Sequence, residues 1–107
     1  MNHNDKTFEN ERIELGEDRF HNCTFRNCEL VFDGHRSPTF SDNEFIDSVF
    51  VFTEQAVRTL YFLSNIYHAG DGGRQVIEKT FQDVRDGELH GREVRTIAPR
   101  TVDHSLH

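Results

Sequence analysis

Tryptophan is absent from the sequence and methionine is confined to Met1, while proline and cysteine occur only twice each. Two cysteines at C-x4-C spacing cannot supply a disulfide framework, and their scarcity fits a cytoplasmic chain better than a secreted one. Positive charge is also in short supply, with 12 Lys and Arg against 19 Asp and Glu and a net charge of −7. That balance disfavours binding to duplex nucleic acid through its phosphates. No apolar run reaches the length of a membrane span. The first residues, Met1 to Lys6, lack the apolar core of a secretory signal. With 107 residues the chain reads as a single domain with a modest core.

What the chain does have is phenylalanine, ten in all, most of it in one stretch that repeats. Phe20-His21-Asn22-Cys23-Thr24-Phe25-Arg26-Asn27-Cys28-Glu29-Leu30-Val31-Phe32 lies over Phe40-Ser41-Asp42-Asn43-Glu44-Phe45-Ile46-Asp47-Ser48-Val49-Phe50-Val51-Phe52 at an offset of twenty residues. Within each copy a large apolar residue returns every fifth position, a period that suits neither a helix nor a flat strand. Leu15 continues the beat backwards, and His35 interrupts it. Two places before each centre stand Cys23, Cys28, Asn43 and Ser48, all compact. Two places after stand Asn22, Asn27, Asp42 and Asp47, residues that tolerate left-handed backbone and form turns. A turn every five residues, with one large and one compact side chain inward per side, describes a square coil that closes in four sides. Equivalent residues of successive coils then stack.

Residues 13–52 resemble the pentapeptide-repeat family, on centres Phe20, Phe25, Leu30, Phe40, Phe45 and Phe50 with Cys23, Cys28 and Ser48 in the compact inward place. The resemblance implies a right-handed quadrilateral β-helix. Pro38 and Asn43 depart from it, as does the predominance of Phe among the centres. The whole chain also resembles short bacterial proteins in which this repeat precedes two helices. The expected fold is therefore α+β, a short β-helix of about two coils over 8–52, capped by a helical pair over 53–87 and followed by a polar tail over 88–107. Residues 1–7 read as a loose lead-in, 33–39 as a bulged side or surface loop.

Thr53 suits a helix N-cap, and Glu54 to His68 then takes helical spacing. Ala56, Leu60, Leu63 and Tyr67 form one stripe, widened by Phe62 and Ile66 on one side and by Val57 and Tyr61 on the other. A helix this apolar calls for cover on more than one side. Gly70-Asp71-Gly72-Gly73 ends it. A second helix is predicted from about Arg74 to Arg85, with Lys79 and Asp83 paired across one turn and Gly87 as its C-cap. The tail carries few apolar residues, with a short strand expected at Glu93 to Ile97. Six buried centres do not offset the ordering of some forty residues, so the helix must close the coils and a second copy must cover its remaining face. A homodimer follows, with Tyr61, Phe62 and Ile66 as candidate interface residues.

Three functional readings arise. The leading one is a small non-enzymatic binding or interaction protein that acts as a homo-oligomer on a target the sequence does not identify, a protein partner being one option. The second places a small anionic metabolite or nucleotide at the Gly-rich segment, on Tyr67, His68, Gly70, Gly72, Gly73 and Arg74, where free N–H groups before a helix attract an anion. The third follows from the family resemblance, some long members of which mimic DNA, and would make this chain an acidic inhibitor of a nucleic-acid enzyme. Cys23 and Cys28, with His21 and His35, match no strong zinc spacing and read as apolar fillers, so no metal or cofactor is expected. No Ser, Cys or His is spaced for nucleophilic catalysis, and the histidines of the tail (His90, His104, His107) have no evident partner.

Overall fold

A computed structural model describes residues 1–98. Over these residues the fold is α+β, with nine strands in three parallel sheets and two helices. The strands are β1 (Asn2–Asn4), β2 (Thr7–Glu9), β3 (Arg12–Glu14), β4 (Arg19–His21), β5 (Thr24–Arg26), β6 (Glu29–Phe32), β7 (Thr39–Ser41), β8 (Glu44–Ile46) and β9 (Val49–Phe52). They are followed by α1 (Glu54–Tyr67) and α2 (Asp71–Arg85). Two compact units result, Met1–Thr59 and a second that begins at Leu60 inside α1.

In the first unit each strand pairs with the strand three further along the chain, giving sheets β1-β4-β7, β2-β5-β8 and β3-β6-β9. The chain thus visits the three sheets in turn, three times over. In the later passes the register joins Phe20 to Phe40, Phe25 to Phe45 and Leu30 to Phe50, the offset of twenty read from the sequence. The earlier passes run at an offset of seventeen, with His3 on Phe20, Phe8 on Phe25 and Ile13 on Leu30.

The first pass corrects the expected count of about two coils beginning at residue 8. Residues 2–4 are a strand, not a lead-in. Two physical reasons hid it: the first centre is a histidine, and three residues fewer separate this pass from the next. The turn residues could have revealed it, since Asp5 and Asn10 stand two places after His3 and Phe8. Leu15 is likewise not a centre. Its N–H donates to the Val31 carbonyl at 3.0 Å, which places it level with Phe32.

The turns behave as residue type dictates. Asp5, Asn10, Asn22, Asn27, Asp42 and Asp47 all adopt left-handed backbone, with φ between 49° and 57°. Asn22 donates from Nδ2 to Asp5 Oδ1, and Asn27 to Asn10 Oδ1, both at 2.7 Å, so the corners are laced between passes.

The core follows from the pentad. Leu15, Phe20, Cys23, Phe25, Cys28 and Leu30 are buried together, with Phe8, Ile13 and Phe32 packed around them. Rings stack in columns: Phe8–Phe25 at 5.1 Å, Phe25–Phe45 at 5.3 Å and Phe20–Phe40 at 5.3 Å between centroids. Offset and edge-on aromatic contacts of this kind add stability beyond area burial. The compact column satisfies backbone. Cys23 Sγ points at the His3 carbonyl and Cys28 Sγ at that of Phe8. One pass later Asn43 Nδ2 donates to the Phe20 carbonyl and Ser48 Oγ to that of Phe25, both at 3.0 Å. Asn43 Oδ1 and Ser48 Oγ also accept the N–H groups of Cys23 and Cys28. The departure at Asn43 therefore has a reason: a side chain with both donor and acceptor serves two backbone groups at once.

The last pass is not buried as the expected core. Phe40, Phe45 and Phe50 keep 36–42% of their surface exposed. The Ala56 N–H donates to the Asp33 carbonyl at 3.1 Å and to that of Thr53 at 3.0 Å, which seats the first turn of α1 on loop 33–36. Gly34, at φ 87°, permits this approach, because a Cβ there would stand 2.7 Å from the Ala56 nitrogen. A backbone carbonyl thus serves the helix start where a Thr53 hydroxyl cap was expected.

In the second unit α2 begins at Asp71, so Gly72 and Gly73 form its first turn and not a loop. Gly73 lies against the Ile66 carbonyl. Gly87, at φ 68°, follows the C-cap Asp86 and donates to the Val84 carbonyl, a glycine-terminated helix end. Lys79 and Asp83 pair at 2.7 Å, and the Lys79 ammonium is raised above its ordinary value by that hydrogen bond. Residues 93–97 form no strand. Thr96 bonds the Thr80 hydroxyl at 2.6 Å instead. His104, His107 and the rest of 99–107 lie outside the described residues.

Candidate functional site

Three places hold residues that could act on another molecule. The Gly-rich segment is the first. Tyr67 ends α1 and His68 follows it, their rings edge to face at 5.4 Å. Both line an apolar groove of about 310 Å³ with Leu60, Leu63, Ile77 and Phe81. Arg74 does not join them, because its guanidinium pairs with Asp71 one turn away. Gly70, at φ 118°, sits at the N-cap, and no side chain caps α2 there. Asp71 already supplies the negative charge that a helix start favours. Of the six candidate residues, Tyr67 and His68 line the groove, Arg74 is held in an ion pair, and the three glycines lie at the N-cap and in the first turn of α2.

The exposed face of α1 is the second place. Tyr61 and Phe62 are 68% and 61% exposed, whereas Ile66, the third expected interface residue, is half-buried. Ala56 and Ile77 are the buried residues of the two helices. A pair of helices with so little interior leaves half of its apolar side chains exposed.

The third place was not foreseen as a site. A groove of about 640 Å³ in the first unit is lined by residues of four separate segments, among them Arg12, Glu14, Asp18, Asp33 and Glu54. Beside it His3 donates from Nε2 to Asp18 Oδ2 at 3.0 Å, and the N-terminal ammonium lies 3.5 Å from Asp18 Oδ1. The His3 hydrogen bond, joined by that ammonium, holds the Asp18 carboxyl below its ordinary value against a smaller opposing effect of burial. The His3 ring stacks on Phe20 at 4.7 Å, and its Nδ1 is buried without a hydrogen-bond partner. A depressed carboxylate contributes stability that is present above its unfolded value and disappears as pH falls through the folded one. Asp18→Asn should therefore lower the melting temperature by a few degrees at pH 7. The gap from wild type should close as pH falls below about 4, and a gap that is the same at pH 3 and pH 7 would contradict the pairing. Asp33 and Glu54, which also line the groove, come together with His35, so that two carboxylates and an imidazole meet.

The expected fillers are where the pentad puts them. Cys23 and Cys28 are both buried as free thiols, and His21 is exposed on the outer side of β4. No helix among the described residues is long and apolar enough to cross a membrane. No protein family, curated protein or solved structure matches the chain.

Proposed function

We propose that the chain is a small non-enzymatic binding protein that works as a homo-oligomer, a dimer in its simplest form. The observation that carries this reading is the pair Tyr61 and Phe62, adjacent on α1 and more than half exposed, on a helix whose buried residue is Ala56. Exposed aromatic pairs of this kind are costly to leave in water and are enriched where chains meet. We also read the three-pass arrangement of the first unit as a quadrilateral β-helix of the pentapeptide-repeat type. The left-handed Asn and Asp corners and the stacked Phe columns support that reading.

Light scattering on the purified full chain tests the oligomer. The expected mass is twice that of the chain. Tyr61→Asp together with Phe62→Asp should return the monomer mass, because two buried carboxylates without partners oppose association strongly. Both positions are exposed within the chain, so helical circular dichroism should survive the change. A wild-type protein that is monomeric at every concentration would refute the proposal.

A further inference from the structure

The route from one pass to the next differs between the two corners that carry no strand. After Leu15 only residues 16–18 lead into β4, whereas after Phe32 residues 33–38 lead into β7, which is the origin of the change from seventeen to twenty in register. The shorter route shows that closure does not demand the longer one. What the longer route adds is a loop that sets Asp33 and His35 against the first residue of α1.

There, one carboxylate oxygen of Asp33, one imidazole nitrogen of His35 and one carboxylate oxygen of Glu54 all lie within 4.8 Å of one another. His35 Nε2 is 3.3 Å from Glu54 Oε1. Donor atoms around a tetrahedral ion with bonds of about 2.1 Å stand roughly 3.4 Å apart, so this pair already spans one edge of such a shell. The backbone holds the set in place from both sides. The Asp33 carbonyl accepts the Ala56 N–H, Gly34 allows the close approach, and the His35 N–H donates to Asp33 Oδ1 at 2.8 Å. The other Asp33 oxygen is left for a ligand.

Glu54 shows the local cost. It sits at φ 49°, and among the described residues it is the one left-handed position occupied by neither Asn, Asp nor Gly. Such strain persists where the surroundings over-determine it, and an exposed His–Glu pair contributes too little to do so. The adjoining groove has the charge a cation requires. Its lining carries five carboxylates against Arg12, Arg36 and the N-terminal ammonium, a balance of −2. Two carboxylates in the cluster also outweigh the partial positive charge of the helix start.

We propose that Asp33, His35 and Glu54 bind a divalent transition-metal cation, with water in its remaining positions. The imidazole selects a first-row metal such as Zn²⁺ over Mg²⁺ or Ca²⁺, which prefer all-oxygen sets. His35 and Glu54 keep 45% and 65% of their side-chain surface exposed, so the ion would face solvent and the groove.

Calorimetric titration of the full chain with ZnCl₂ in a non-coordinating buffer tests the site. We expect one Zn²⁺ per chain, with affinity reduced at least about tenfold in His35→Ala and in Glu54→Gln, since losing a ligand costs no less than losing a residue that orients one. The double variant His104→Ala, His107→Ala should bind as wild type, which separates this site from the histidines near the end of the chain. Far-UV circular dichroism should be unchanged in all variants, because the substituted ligands are exposed. The proposal is overturned by an absence of Zn²⁺ binding or by equal affinity in His35→Ala. It is equally overturned if only the double variant loses binding, or if Mg²⁺ binds as tightly as Zn²⁺.

Discussion

Phe25→Ala is expected to cost the first unit about 3–5 kcal/mol, the range for removing a buried aromatic ring. Phe25 has no exposed surface. Its ring stacks between Phe8 below and Phe45 above, and meets Phe20 and Phe40 at their edges. Alanine would leave a hole between columns whose backbones are pinned by parallel pairing on both sides, so the walls cannot close around it. Against a total stability of about 5–15 kcal/mol, that loss should lower the thermal midpoint by ten degrees or more. Phe45→Ala provides the contrast. It removes the same ring from the same column one pass later, where 42% of the surface is exposed. A loss well under half as large is expected there. Urea denaturation of both variants measures the difference, and equal losses would mean that the last pass is covered in solution.

Gly73→Ala is expected to destabilise the second unit by about 1–3 kcal/mol or more, the cost of forcing atoms into a filled space. Helix preference alone predicts the opposite sign, because alanine favours a helix interior over glycine by about 1 kcal/mol. Geometry decides between them. A Cβ on Gly73 would stand 2.0 Å from the Ile66 carbonyl oxygen, which is backbone and cannot swing aside. That carbonyl also accepts the Ala69 N–H at 3.1 Å, so displacing it disturbs the turn between the helices. Thermal melting followed by helical circular dichroism reads the effect, with Gln75→Ala as an exposed control in the same helix. A stabilised Gly73→Ala protein would show that the helices do not approach as described. The same variant bears on the glycines between the helices. Were Gly73 present to leave its N–H free for an anion, its replacement would alter ligand affinity more than stability.

Much of the first unit was legible because its constraints are local. A left-handed corner needs Asn, Asp or Gly, so Asn22, Asn27, Asp42 and Asp47 announced themselves by type and spacing. An inward position one residue wide needs a compact side chain, which marked Cys23, Cys28, Asn43 and Ser48. The first pass escaped because the repeat changes length at Gly16–Asp18 and because His3 fills a place usually apolar. Its ring can do so since Asp18 receives its N–H. The Lys79–Asp83 pair and the Gly87 helix end were equally readable, each set within a single turn of chain.

The candidate sites were less legible, for the opposite reason. Arg74 looked free to meet an anion until the start of α2 moved three residues earlier and brought Asp71 beside it. Gly73 looked like part of a flexible loop until packing against Ile66 gave it a place inside a helix. Asp33, His35 and Glu54 span more than twenty residues of sequence and belong to no spacing pattern.

The sequence by itself determined the five-residue beat, the identity of the corner and inward residues, the offset between the later passes and the presence of two helices. Each depends on what one residue type can do within a few neighbours. Only the tertiary structure decided that there is a third pass, that Phe40, Phe45 and Phe50 end it partly exposed, and that Asp33 and His35 meet Glu54. Those outcomes depend on where distant segments of backbone come to rest, which hydrogen bonding between passes and the space left by a missing Cβ at Gly34 settle together.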